Sequence, residues 1–423
     1  MTVGAGQSAL EKSEAYWGLP SKVRYCRRCV FSNQRPLSTN EYLHTTQSRK
    51  DTLAFDDQGV CLACRQMDKV MNEIDWQARE KELIEFLDQY RSKDGSYDVL
   101  VPGSGGKDSA MAAHLLKYRY GMHPLTVTWA PHLYTDIGWK NFQNWIHQGG
   151  FDNYLFTPNG RVHRILTRLA VTNLFHPFQP FIVGQKSFPL KMAIKFNIKL
   201  IFYGEMPAQY GDAGSVNEKK FGGATASAGY QLAVADNRQL SLGGVSVEEL
   251  KKSYGLSDMD LSVYLPLEPS KAQAFDGEFH YLGYYVKWIP QEAYYYAVEN
   301  TGFQANPERS EGTYSKYNSL DDKIDGFHFW TTYVKYGIGR ATYEASQEVR
   351  NRHITREEAV ALVRRFDGEF PKRYFKEILD YLSLTEEEFF AVADRFRSPH
   401  LWKQDNDGWK LRHPIWDEDK EPA

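Results

Sequence analysis

Two periods of apolar and polar positions alternate along the middle of the chain. Short apolar runs predict strands at 97–102, 124–129, 153–156, 199–203 and 284–288. Helical patterns fall between them, around 141–147, 162–173 and 188–196, with a further helix from Pro290 to about Asn300. Alternating strand and helix implies a parallel, doubly wound α/β sheet, whose ligands sit at the carboxyl ends of the strands. The last third reads differently. Thr355 with Glu358 and Thr385 with Glu388 are capping boxes, each opening a helix. One apolar face runs through Ala359, Leu362, Val363 and Phe366, the other through Phe389, Val392, Ala393 and Phe396. No internal repeat is evident.

The turn after the first strand carries the densest chemistry: Gly103, Ser104, Gly105, Gly106, Lys107, Asp108 and Ser109 in succession. Glycines let backbone approach an anion, and the N–H groups of the turn and of the first helical turn point at it. Lys107 adds positive charge, Ser104 and Ser109 add hydroxyl donors, and Asp108 orients a metal or caps the helix. The same sheet edge is expected to carry Trp129 with the segment after it, and the Gly204-Glu205 pair. Glu205 is read as a magnesium ligand or as a turn cap. Lys186, just before an expected helix start at Ser187-Phe188-Pro189, is read as a phosphate contact or a solvated surface lysine.

All four cysteines precede residue 65, as Cys26-x-x-Cys29 and Cys61-x-x-Cys64. Two such knuckles complete a tetrahedron around one zinc ion, with an inserted loop around 32–49 between them. Disulfides and redox-active dithiols are the competing readings. A four-thiolate zinc has no open position, so it holds structure and does not activate water. With all four thiols committed, none remains for nucleophilic catalysis, persulfide transfer or glutamine hydrolysis.

Composition narrows the class. The 423 residues suggest two or three domains, and 42% hydrophobic with 25% charged residues is ordinary for a globular chain. The net charge of -3 argues against a dedicated nucleic-acid binder. Mean hydropathy of -0.56 and the lack of an apolar run near 18 residues argue against a membrane span. Residues 1–19 have no apolar signal core, so a cytoplasmic protein is expected. The boundaries expected are an N-terminal four-cysteine module with a linker helix at 1–95, a nucleotide domain at 96–302 and a mostly helical region at 303–423. A Gly/Ala/Ser-rich stretch suggests a mobile insertion at about 213–265, a lid or a surface linker.

In the C-terminal third, Tyr314, Asp321, Asp322, Asp325 and Arg340 are candidate substrate contacts. Asp321 and Asp325 at i, i+4 would share a helical face and bind a metal or sugar hydroxyls; the alternative is a solvated acidic face. Arg340 is read as a bidentate grip on a nucleotide diphosphate or as a structural ion pair.

The run Ser104-Gly105-Gly106-Lys107-Asp108-Ser109 resembles the pyrophosphate loop (PP-loop) of ATP pyrophosphatases, which cleave ATP between the α- and β-phosphates. From about Cys26 to Phe396 the chain also resembles the N-acetyl sugar amidotransferases of bacterial surface polysaccharide synthesis, the WbpG type. That resemblance rests on the cysteine pairs, the loop and the runs 311–317, 319–329, 337–342 and 353–359. It implies ATP-dependent conversion of an acetamido group on a nucleotide-linked N-acetyl sugar to an acetamidino group, with ATP, Mg²⁺ and structural Zn²⁺. It also implies ammonia from a separate glutaminase and synthase pair resembling those of histidine biosynthesis. Competing functions are tRNA thiolation, ligation of ammonia to a carboxylate, and a non-catalytic adaptor that binds zinc and nucleotide.

Overall fold

A computed structural model describes residues 18–38, 41–45, 48–211 and 240–420. Five parallel strands form the central sheet: β1 (Val99–Pro102), β2 (Pro124–Trp129), β3 (Asp152–Phe156), β4 (Leu200–Tyr203) and β5 (Glu278–Tyr281). Their order is β3-β2-β1-β4-β5, with Leu100 level with both Leu125 and Ile201. The chain winds outward from β1 in one direction and returns through β4 in the other. The carboxyl ends of β1 and β4 therefore flank the switch point where open α/β sheets bind ligands.

Alternation sorts the strands' side chains into two cores. Leu100, Leu125, Val127, Ile201 and Phe279 enter one cluster, while Val99, Val101, Leu200 and Phe202 enter the other. Both faces are covered by helices, as a parallel sheet requires. The helices are α1 (Leu62–Asn72), α2 (Trp76–Leu87), α3 (Lys107–His114), α4 (Asp136–His147), α5 (Gly160–Leu174), α6 (Gln179–Phe196) and α7 (Pro290–Thr301). Fully burying one large apolar side chain contributes about 1.5–3 kcal/mol, so the two clusters dominate the stability of this part.

The C-terminal helices are α8 (Asp325–Tyr336), α9 (Arg340–Arg350), α10 (Arg356–Phe366), α11 (Phe375–Leu382) and α12 (Glu386–Arg395), followed by a hairpin of Trp402–Asp405 and Gly408–Leu411. Both expected capping boxes are present, at Thr355/Glu358 and Thr385/Glu388. A third core joins Phe327, Trp330, Phe375 and Phe389 to Val171 and Phe175 at the end of α5. Lys335 of α8 is buried on Glu41, at 2.7 Å, and so anchors the loop between the cysteine pairs. No helix among the described residues is long and apolar enough to cross a membrane.

Three expectations need correction. The fifth strand is Glu278–Tyr281, and Leu282–Tyr285 instead forms a helical turn. A backbone turn fits there because Gly283 lies against Met206; an added Cβ would come within 2.7 Å of its side chain. The helix placed at 188–196 starts at Gln179, with Pro180 in its first turn and Pro189 inside it. Proline at a helix start needs no donor, whereas Pro189 forfeits one internal hydrogen bond. Of the expected mobile insertion, 212–239 lie outside the described residues. From Leu240 onward it is packed: Leu240, Leu242, Leu250, Leu261 and Tyr264 are buried in the core that covers the sheet.

Candidate active site

Glycine geometry shapes the loop after β1. A Cβ on Gly103 would stand 2.2 Å from the Ser109 Cβ, so only glycine fits there. Gly105 has φ +84°, a left-handed conformation that favours glycine. Gly106 precedes α3, whose first N–H groups face the cleft without internal partners. Ser109 donates its hydroxyl to the Gly106 carbonyl at 3.1 Å, closing the loop on itself. Lys107 is largely buried, its Nζ 2.7 Å from Asp108 Oδ2. Trp288 Nε1 donates to Asp108 Oδ1 at 3.0 Å, so this carboxylate is held from both sides.

Gly204 ends β4 against the start of α3; its Cβ would meet the Asp108 carbonyl oxygen at 2.3 Å. Its role is close packing at the switch point. Glu205, next to it, lines a cleft of about 230 Å³ together with Ser104, Gly105, Gly106, Lys107 and Asp108. The opposite wall comes from Tyr317, Asn318, Ser319, Leu320, Asp321, Arg340 and Gln347. Three carboxylates, Asp108, Glu205 and Asp321, and two cations, Lys107 and Arg340, thus face one space. That set suits a polyphosphate carried with a divalent cation.

Asp321 bridges the two walls, because its carboxylate accepts a hydrogen bond from Ser104 of the loop. Burial raises its carboxyl above the usual range, against the pull of the Ser104 bond. Arg340 donates through Nε to Glu344 Oε1 at 2.7 Å and lies over the Phe329 ring. Tyr210, at the end of the Pro207–Tyr210 turn, is hydrogen-bonded to Gln347 across the cleft wall. Ser319 has φ +48°, an uncommon backbone state for a non-glycine residue, held at the cleft.

Other expected site residues lie elsewhere. Trp129 is buried among Phe156, Phe188 and Tyr264, a core residue at the strand end. Lys186 falls inside α6 and does not line the cleft, since the helix begins at Gln179, seven residues before this lysine. Asp322 is structural: its carboxylate accepts from the N–H groups of His132, Leu133 and Ile324 and pairs with His132 Nδ1 at 2.8 Å. The 321–325 segment is not a helix, so Asp321 and Asp325 do not share a helical face; α8 starts at Asp325. Asp325 Oδ2 is buried without a hydrogen-bond partner, and burial with the neighbouring Asp321 and Asp322 holds its carboxyl well above the usual range. Tyr314 packs on Phe366 away from the cleft. Reading the sequence misses Tyr210, Trp288, Tyr317, Asn318 and Gln347, which reach the cleft from separate elements.

The four cysteines are all buried, and their sulfurs lie within 4.8 Å of one another. Cys26 and Cys64 sulfurs are 3.9 Å apart, Cys29 and Cys61 sulfurs 3.7 Å. Four thiolates at about 2.3 Å from one zinc ion stand about 3.8 Å apart, so the set fits a single tetrahedral ion. Backbone N–H groups of Arg28 and Cys61 point at Cys26 Sγ, and that of Phe31 at Cys29 Sγ, the support that thiolates need.

A glycine loop at the switch point of a five-stranded parallel sheet, with a four-cysteine cluster, defines an open α/β fold whose loop geometry suits a phosphate. Residues 311–414 match the family model for the C-terminal domain of the WbpG-like LPS biosynthesis proteins. Among curated proteins, the chain is 31% identical over 85 residues to the uncharacterized protein MJ1599 of Methanocaldococcus jannaschii. That alignment covers 20% of this chain and 30% of the relative's length. Solved structures with some likeness include NMN synthetase from Francisella tularensis (15% identity, 56% of this chain and 90% of that one, TM-score 0.26). The NH3-dependent NAD synthetase from Campylobacter jejuni matches at 12% identity over 45% of this chain and 77% of its own, with TM-score 0.26. The U34-tRNA thiolase NcsA from Methanococcus maripaludis matches at 11% identity over 73% and 82%, with TM-score 0.31.

Proposed function

We propose that the chain is an ATP-dependent amidotransferase that converts the acetamido group of a nucleotide-linked N-acetyl sugar to an acetamidino group. One observation carries the reading. The cleft is walled on one side by the phosphate loop and on the other by residues of the WbpG-like segment, including Asp321, Arg340 and Gln347. Nucleotide and sugar would therefore meet within a single space.

An amide carbonyl is a poor electrophile. In this reading its oxygen attacks the α-phosphorus of ATP and pyrophosphate leaves. Ammonia then attacks the imidate carbon, AMP departs, and the released proton goes to solvent. Ser104, Lys107 and the N–H groups at the start of α3 stabilise the departing pyrophosphate electrostatically. Asp108 and Glu205 are the residues that would hold Mg²⁺, which supplies further charge neutralisation when bound. Asp321 and Arg340 orient the sugar nucleotide, and orientation of the amide oxygen toward phosphorus is worth several kcal/mol of barrier. The division into 1–95, 96–302 and 303–423 then assigns the metal module, the nucleotide and the sugar in turn. The clustering of all four cysteines in one centre favours this reading over sulfur transfer.

The test is to incubate the protein with ATP, magnesium, ammonium and a panel of nucleotide-diphosphate N-acetyl sugars. Mass spectrometry should find a product in which NH replaces one oxygen, together with AMP and pyrophosphate. ATP turnover without that product across the panel overturns the sugar assignment.

A further inference from the structure

The Met206–Gly211 segment lies between the cysteine centre and the cleft. On one side Met206 and Ala208 pack with Met67 and Val70 of α1, the helix that begins between Cys61 and Cys64. Gly211 touches the same helix so closely that a Cβ would come within 2.7 Å of the Ala63 nitrogen. On the other side Tyr210 faces the cleft and holds Gln347.

Arg350, the last residue of α9, ties these parts together. It is buried, with 5% of its surface exposed. Nη2 donates to the Gln209 carbonyl at 2.6 Å, Nη1 points at Cys29 Sγ at 3.8 Å, and the guanidinium lies 4.9 Å from the centroid of the Phe31 ring. Gln209 is itself fully buried, and its amide donates to Asn351 Oδ1 at 3.2 Å. Its Nε is buried without a hydrogen-bond partner, so the charge of this buried guanidinium is met through the two Nη contacts and the ring face. Four thiolates on a divalent ion carry net negative charge, and the planar fork reaches sulfur and carbonyl at once, which a lysine cannot.

We propose that Arg350 is a positioning residue that couples the four-cysteine centre to the active-site cleft, fixing the Met206–Gly211 turn and so Tyr210 for the sugar nucleotide. The inference rests on the cleft being the substrate site proposed above. Arg350 touches neither the phosphate loop nor any reacting group, so its effect should fall on one substrate and not on ATP.

The experiment compares the zinc-loaded full chain with Arg350→Lys and Arg350→Met. Metal content should stay at the wild-type level in both. Backbone hydrogen exchange in 206–211 should speed up at least tenfold in Arg350→Met and less in Arg350→Lys, whose ammonium still reaches the Gln209 carbonyl. KM for the sugar nucleotide should rise at least tenfold, with kcat and the KM for ATP changed less than threefold. Unchanged exchange in 206–211 overturns the coupling, as does an equal loss of kcat for all substrates with metal release. If no amidine forms even with the wild-type chain, the functional reading fails, while the exchange measurement still decides the role of Arg350.

Discussion

The carboxylate of Asp321 accepts a hydrogen bond from Ser104, joining the WbpG-like segment to the phosphate loop. The contact is built by close packing: a Cβ on Gly138 in α4 would stand 2.4 Å from the Asp321 Cα. A hydrogen bond to a charged partner is worth about 1.5–3 kcal/mol, so Asp321→Ala should lower kcat/KM by about ten- to a hundredfold. Asp321→Asn, which keeps an acceptor for Ser104, should lose less. Steady-state kinetics of both variants on the sugar nucleotide check this; equal losses would assign the effect to charge alone.

Lys107 and Ser104 line the cleft, and in the proposed reaction they face the leaving pyrophosphate. Removing one preorganised electrostatic donor typically costs about 10²–10³ in kcat, and Lys107→Ala or Ser104→Ala should fall in that range with the circular dichroism spectrum unchanged. Nucleotide products separate the mechanisms: AMP with pyrophosphate is expected, and ADP with phosphate would contradict attack at the α-phosphorus.

The cysteine centre should hold one zinc ion per chain. Cys61→Ser removes a ligand at the N-cap position of α1, where the Cys61 side chain makes no capping hydrogen bond, so metal content and thermal stability should fall together through the loss of the metal alone. Elemental analysis of purified protein checks the stoichiometry. A zinc-free wild-type chain, or a Cys61→Ser chain that keeps its full metal, would remove the basis for a four-thiolate site.

Asp367 gives a pH signature. It accepts N–H bonds from Gly339 at 2.9 Å and Thr342 at 3.1 Å at the start of α9, yet burial pushes its carboxyl up to about 6. A carboxyl whose folded value exceeds its unfolded one binds its proton more tightly in the folded chain. Its stabilising contribution is therefore fully present below about pH 4 and is lost as pH rises through about 6. Over that window the thermal midpoint of the wild type should fall relative to Asp367→Asn. A difference between the two that stays flat from pH 4 to pH 7 would show that Asp367 keeps an ordinary acidity.

Strands β1 to β4 are legible because each is a short apolar run bounded by turn residues. β5 is not, because the apolar and aromatic run from Phe279 to Trp288 continues through the helical turn that follows it. The phosphate loop is legible because its chemistry is contiguous. Tyr210, Trp288 and Gln347 are not, because they converge only when the turn after β4, the start of α7 and the middle of α9 pack around the loop. The acidic trio shows the limit of residue type as a guide. Asp321 enters the cleft, Asp322 holds the backbone after β2, and Asp325 is buried, and only the path of the chain between 317 and 325 separates them.

Nitrogen supply can be argued from the same cysteine centre. Hydrolysing glutamine through a thiol needs a nucleophilic cysteine activated by a neighbouring base. Every cysteine of this sequence lies in the one buried cluster, with sulfurs turned toward each other. None lines the cleft. A four-thiolate metal site blocks all of them as nucleophiles, so this chain should not release glutamate from glutamine. Free ammonia is scarce near neutral pH, where ammonium predominates, so a partner glutaminase is the expected donor. Amidine formation should therefore appear with the chain alone at high ammonium and increase with pH as the free-base fraction rises. Glutamine should support it only once a glutaminase partner is added. Glutamate release by the isolated, zinc-loaded chain would overturn both the closed metal centre and the need for a partner.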